Sequence, residues 1–288
     1  MTHASVADML RLLDLEKIEE NIFRGQSRDI GGKSVFGGQV LGQALAAASR
    51  TVDGRAAHSL HAYFLRPGDM AAPIVYSVDR IRDGQSFATR RIVAIQHGRP
   101  IFNMAASFQK AEEGFEHQNR MPDVPGPDDL PSLTELRRQA VELDPERFRH
   151  RSAWQVPLDI RPVRPANPYL ADTSPPVQTL WMRTLEPVPD APDLHQAILA
   201  YASDFALFRT AVLPYKKALR ESNAHMASLD HSMWFHRPCR VDQWLLFAME
   251  SPSASGARGL ATGSIFAQDG ALVATICQEG LMRVESGA

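Results

Sequence analysis

SLDHSMWFHRP, residues 228–238, and ATGSIFAQDGALVATICQEGLMR, residues 261–283, decide the fold of this chain. The first is an aromatic strand that ends in Arg-Pro. The second is a pair of strands turning at Gln268-Asp269-Gly270, and Asp-Gly between apolar residues is a strong hairpin signal. A weaker copy of both lies near the N-terminus: HSLHAYFLRP at 58–67, then ATRRIVAIQHGRPIFNMAASFQ at 88–109. The helix ahead of each also matches, ALAAASR at 44–50 against ILAYASD at 198–204. The chain therefore reads as one unit duplicated.

The copies differ where chemistry needs polar groups. Aligning Gln96-His97-Gly98 with Gln268-Asp269-Gly270 sets Gln278 opposite Ala106. Aligning Arg66-Pro67 with Arg237-Pro238 sets Ser228 opposite Ala57, and the helices pair Asp204 with Arg50. A polar triple, Asp204, Ser228 and Gln278, thus appears only in the second copy. One working site beside one relic gives that pattern; so does drift at three scattered positions.

With 288 residues and 44% hydrophobic content, the chain can bury one large core or two smaller ones. A net charge of −2 gives no reason to expect nucleic acid or an anionic membrane as partner. Arg90-Arg91, Arg137-Arg138 and Lys216-Lys217 are short enough to be solvated faces. The N-terminus interrupts its leucine pattern with acids, which argues against a signal peptide or a membrane span there. Cys239 and Cys277 have no metal-ligand spacing and fit reduced thiols in a cytoplasmic protein; the terminal Ser-Gly-Ala is no peroxisomal address.

Along the chain, an amphipathic helix is expected around Val6 to Leu15. FGGQVLGQALAAASRTV, 36–52, carries no charge before Arg50 and must be a buried helix. Strands are expected at His58 to Leu65, Ile74 to Arg82, Ser86 to Gln96 and Ile101 to Lys110. The proline-rich stretch after Ala111 reads as a linker, in which Ser132 and Glu135 have capping-box spacing for a helix to about Glu142. The second copy then runs as a strand at Thr179 to Arg183, a helix at Leu194 to Ala202, and strands at Ser232 to His236, Gln243 to Ser251, Arg258 to Ala267 and Ala271 to Arg283. Each long apolar helix packed on an antiparallel sheet makes an α+β fold.

These paired motifs, ILAYASD and SLDHSMWFHRP with QDGALVATICQEG, and FGGQVLGQAL with HSLHAYFLRPGD, resemble the acyl-CoA thioesterase II family over nearly the whole chain. The resemblance implies a double hotdog, two antiparallel sheets each wrapped around a long central helix. The expected boundaries are an N-terminal hotdog at 1–112, a linker with one helix at 113–169, and a C-terminal hotdog carrying the catalytic residues at 170–288. It implies hydrolysis of fatty acyl-CoA to free acid and CoA, with Asp204, Ser228 and Gln278 holding and activating a water, and no cofactor or metal. The family usually has Thr where this chain has Ser228; the oxygen is kept and a methyl lost. Pairing two hotdogs covers a sheet edge, and a homodimer or homotetramer is expected.

The residues agree with those roles. Asp204 lies in an apolar run, where an unpaired carboxylate is costly, so it needs hydrogen-bond partners. Capping a helix would satisfy it equally, and Ser228 by itself reads as a turn hydroxyl. Gln278 shares its strand face with Ala274, Ile276 and Gly280, which argues against solvent on that face. His58 is a candidate for lining the substrate path. Competing sites are weaker. Cys277 points opposite to Gln278 and has no evident base. No G-x-S-x-G elbow is present, and in GGKSVFGG Ser27 stands where a phosphate loop needs its first glycine. The histidine pairs His58/His61 and His231/His236 are at odd separations, which on strands point to opposite faces and disfavour a metal. Two other activities share the fold: a hotdog hydratase or dehydratase, of whose Gly-Asp-x-Asn-Pro context only Gly68-Asp69 is present, and a catalytically silent acyl-CoA binding protein.

Overall fold

A computed structural model describes residues 5–148, 156–163, 169 and 173–284. Helix α1 (Val6–Leu13) opens with a capping box in which Ser5 and Asp8 satisfy each other's backbone N–H groups. It buries Val6, Met9, Leu12 and Leu13. A hairpin follows, β1 (Glu16–Glu19) and β2 (Ile22–Gly25), which the sequence reading does not contain. All four β1 residues are exposed, so EKIE carries no alternation to detect.

Helix α2 (Gly37–Ser49) is almost wholly buried, as its lack of charge requires. Strands β3 (Ala56–Phe64), β4 (Ile74–Asp83), β5 (Phe87–Gln96) and β6 (Arg99–Gln109) then form the expected meander. The second half runs β8 (Val177–Thr184), α5 (Pro192–Ser203), the short helices α6 (Leu207–Val212) and α7 (Lys216–Arg220), β9 (Ala224–Ser228), β10 (Asp230–Phe235), β11 (Leu245–Ser255), β12 (Arg258–Ala267) and β13 (Leu272–Val284). The segment between the halves holds more than one helix. It carries α3 (Leu133–Leu143), α4 (Pro145–Phe148) and an edge strand, β7 (Leu158–Pro162), that pairs with β8. Ser132 caps α3 by accepting from the Glu135 N–H, while the Glu135 carboxylate engages Arg138 and Gln139. The expected start of the second unit at 170 lies outside the described residues.

Among the described residues the strands form one antiparallel sheet in the order β1-β2-β4-β5-β6-β3-β10-β13-β12-β11-β8-β7, with β9 on β13. The order is palindromic by role: β3 answers β10, β6 answers β13, β5 answers β12. The two halves join where β3 pairs with β10, and there Ser232 faces His61, Met233 faces Leu60 and His231 faces Ala62. The sequence alignment equates His61 with Ser232, Leu60 with His231 and Ala62 with Met233. The ladder therefore maps onto itself about an axis through the His61–Ser232 pair, a pseudo-two-fold.

Helices α2 and α5 pack side by side within the sheet's curvature. A Cβ at Gly38 would lie 2.3 Å from the Tyr201 carbonyl oxygen, and one at Gly42 would lie 2.9 Å from that of Ala197. The two backbones meet because α2 has no side chain at those positions. The helical run Pro192–Leu219 is apolar and long enough to cross a bilayer by composition, but most of that apolar window is buried inside the protein as core. The 111–131 segment lies over a small outer cluster of Trp181, Trp244, Leu246, Phe266 and Leu272, where Trp181 Nε1 donates to the Pro125 carbonyl and Arg161 to that of Pro127. Half of one basic cluster departs from the expectation of a solvated face: Arg91 is exposed, but Arg90 is not. Arg90 is only 1% exposed and donates to Thr51 and to the Asp83 carboxylate. On β5 it occupies the inward parity, and Thr51 in the loop after α2 joins Arg82, Asp83 and Thr89 in supplying the oxygens that make its burial tolerable.

Candidate active site

Asp204 ends α5 as its C-cap residue, so the helix-terminating role weighed from sequence is real. Its carboxylate does more than end the helix. It reaches across to the N-terminus of α2, where the Gly38 N–H donates to it. A Cβ at Gly37 would lie 2.7 Å from Asp204 Oδ2 and 2.9 Å from the Phe64 ring, so only glycine admits the contact. Burial dominates the electrostatics and pushes the carboxyl up to about 7, with the bonds from Gln278 and Gly38 acting in the opposite sense.

Gln278, on β13, is completely buried. Its Nε2 donates to Asp204 Oδ1 at 2.6 Å and to Ser228 Oγ at 3.1 Å, and its Oε1 accepts from the Phe208 N–H at 3.2 Å. A backbone N–H needs an oxygen, so Phe208 fixes which way the amide points. Ser228, the last residue of β9, sits opposite Gly280 in the β9–β13 ladder. The three residues read from the sequence are thus brought into one hydrogen-bonded cluster. Both amide hydrogens of Gln278 are spent on its two partners, so its hold on any water runs through the side chains it clamps.

Four further residues build this cluster. Gly37 admits the carboxylate, Gly38 lets α2 approach α5 and gives the carboxylate its N–H, Phe208 orients the amide, and Gly280 admits Phe208, since a Cβ there would fall 2.2 Å from the Phe208 ring. A glycine pair at a helix start and a glycine within a strand were the available signals. Phe208 acts through its backbone and left none.

A cavity of about 630 Å³ opens onto Asp204 and Ser228, walled by Phe36, Gly37 and Phe208 and edged by the cations Lys33 and Arg209. A second, apolar cavity of about 310 Å³ adjoins it, sharing Phe205 and Arg209. These sizes suit a small-molecule ligand with an apolar tail.

His58 is not part of this assembly. It bonds the Ser107 hydroxyl at 2.8 Å, stacks edge-on against Phe87, and lines a different cleft of about 910 Å³ near the N-terminus of α5. That cleft also contains Ala57, the counterpart of Ser228, so the pseudo-two-fold carries the active cavity onto it. Cys277 pairs with Ser232 across the sheet, and burial pushes its thiol up, away from a reactive thiolate. Among the described residues no group of three or more His, Cys, Asp or Glu side chains is placed to hold a metal.

Profiles of two related families match the chain: acyl-CoA thioesterase over residues 147–281 and the acyl-CoA thioesterase N-terminal domain over 25–109. Acyl-CoA thioesterase 2 of Haemophilus influenzae is 43% identical over 96% of this chain and 97% of its own length. Among solved structures, an acyl-CoA thioesterase II from Mycobacterium marinum is 45% identical and superposes with a TM-score of 0.79 over 96% of this chain and 99% of that one. A hot dog fold protein from Alicyclobacillus acidocaldarius, 22% identical, superposes at 0.77 over 99% of this chain and all of that one, which bears on fold alone.

Proposed function

This chain belongs to the acyl-CoA thioesterase family and hydrolyses acyl-CoA thioesters, and from that premise we propose that Asp204, Ser228 and Gln278 carry the chemistry by activating a water. The observation that carries this reading is the clamp of Gln278 on Asp204 and Ser228 at the floor of the cavity. A water bound between the carboxylate and the hydroxyl faces a thioester entering from the cavity. Its oxygen attacks the carbonyl carbon while Asp204 takes its proton, a contribution of about 10²- to 10⁴-fold. The developing oxyanion is held by backbone N–H groups at the start of α2, Gly37 foremost, where the helix dipole adds partial positive charge. Collapse breaks the C–S bond, and the proton on Asp204 leaves with the CoA thiolate.

Residue types support water over a covalent route. The partner that clamps Ser228 Oγ is an amide N–H, a donor that cannot take the hydroxyl proton. The adjoining apolar cavity favours fatty acyl groups, with the two hotdog units at 1–112 and 170–288 serving one site between them. A homodimer or homotetramer in the cytoplasm completes the proposal, with palmitoyl-CoA as a working substrate.

The test follows thiol release from palmitoyl-CoA. Asp204→Asn keeps size and one acceptor but removes the base, so turnover should fall by roughly 10² or more in a folded protein. A single turnover in ¹⁸O-water should place the label in the product acid. An acyl-enzyme trapped on Ser228 or Cys277, or full activity in Asp204→Asn, overturns the assignment.

A further inference from the structure

His231, on β10, is fully buried directly behind Asp204. Its Nε2 lies 2.9 Å from Ser203 Oγ, and Ser203 spends its only hydroxyl hydrogen on the Ala200 carbonyl at 2.8 Å. With that hydrogen on Ala200, Ser203 accepts from the imidazole, and the hydrogen-bond network assigns the ring hydrogen to Nε2. Nδ1 is left as a bare lone pair with no hydrogen-bond partner, 3.9 Å from Asp204 Oδ1. Burial keeps the ring neutral, so this contact is no ion pair. A buried acceptor facing a buried acceptor is costly unless one of them gains a proton during the working cycle.

Pseudo-symmetry supplies an independent observation. The position equivalent to His231 in the first half is Leu60, also fully buried. The core at this point accepts an aliphatic side chain, and the first half has Arg50 where the second has Asp204. The buried imidazole accompanies the buried carboxylate.

We propose that His231 is a positioning residue for the Asp204 base. Its Nδ1 lone pair disfavours the charged carboxylate and accepts a hydrogen bond from the protonated one, after Asp204 has taken the proton from water. Closing the gap to hydrogen-bond length needs a shift of about 1 Å. The proton stays on Asp204 and later leaves with the thiolate, so the ring stays neutral throughout. In this way the carboxylate is made a stronger base than burial alone would make it, and the species that forms as water attacks is stabilised. The inference rests on the reading of Asp204 as base.

The other ionisable neighbours do not compete for this role. On α5, Tyr201 is a buried phenol held neutral by desolvation. On β10 and β13, Asp230 and Glu279 act on each other, and Cys277 is a neutral thiol. Arg28 bears on Tyr201, and Lys33, Arg209 and Lys216 edge the cavity.

The experiment compares wild type with His231→Leu, which restores the residue type of the other half, and His231→Asn, whose amide oxygen can occupy the Nδ1 position. The readouts are the titration of the Asp204 carboxyl by ¹³C NMR of aspartate-labelled protein, and the pH profiles of kcat and KM for palmitoyl-CoA. In His231→Leu the Asp204 titration and the acidic limb of kcat should both move to lower pH by about one unit, and plateau kcat should fall about tenfold at constant KM. His231→Asn should recover part of both. An unmoved Asp204 titration, a kcat loss without movement of the limb, or an asparagine variant no better than leucine overturns the inference. A shifted titration in an enzyme whose Asp204→Asn variant is fully active keeps the His231–Asp204 pairing and overturns the base assignment instead.

Discussion

Burial sets the behaviour of Asp204 twice over. A carboxyl that titrates near 7 is protonated, and useless as a base, below that pH. Turnover is expected to fall about tenfold per unit as pH drops through the range below about 7, a limb absent from a base of ordinary acidity. A pH–rate profile of kcat/KM checks this, and a flat profile down to pH 5 sinks it. The same burial has a stability sign. The folded-state value lies above the unfolded one, so the folded chain binds the proton more tightly. Stability is greatest below the ordinary carboxylate range and declines as pH rises towards 7, by an order of a few kcal/mol at most. Asp204→Asn should lack that decline. Melting curves of both proteins from pH 5 to pH 8 should therefore diverge, with the wild type losing more.

At the scale of elements, the site depends on a contact that uses an absent side chain. Gly280 on β13 admits the Phe208 ring, and Phe208 in turn orients Gln278. A methyl there must displace an aromatic ring at the start of α6, so Gly280→Ala should lower kcat by at least tenfold and lower the melting temperature, with an intact far-UV spectrum. An unchanged kcat would show that Phe208 does not govern the amide. The junction of β3 and β10 makes a different demand. Leu60 and Met233 face each other there, both fully buried in the shared core. Met233→Ala should cost about 2–5 kcal/mol, read from urea denaturation.

For the whole molecule, the single sheet and the main hydrophobic cluster that span both halves among the described residues argue for joint unfolding. All four tryptophans, Trp154, Trp181, Trp234 and Trp244, lie in the second half of the sequence, whereas far-UV signal comes from both halves. Fluorescence and far-UV denaturation curves should coincide; separated midpoints would mean that the halves unfold independently.

The duplication, the two buried helices, the meanders and the hairpin at Asp269-Gly270 were legible because period and turn chemistry are local. So was the polar triple, once the copies were compared, since its members break a pattern the other half keeps. Hairpin β1–β2 was hidden because exposed EKIE has no alternation, and the burial of Arg90 because two of its oxygens come from Thr51 in a distant loop. The place of His58 was hidden for a related reason: it lines the cleft away from Asp204, and the sequence puts it on a strand but cannot say which of two pseudo-symmetric clefts that strand borders. The tertiary structure alone decided that Asp204 meets the N-terminus of α2, that Phe208 orients Gln278, and that His231 stands behind the carboxylate. Each of these is a contact between segments far apart in the chain, the first two set by close approaches that Gly37, Gly38 and Gly280 permit, and no local spacing encodes that distance.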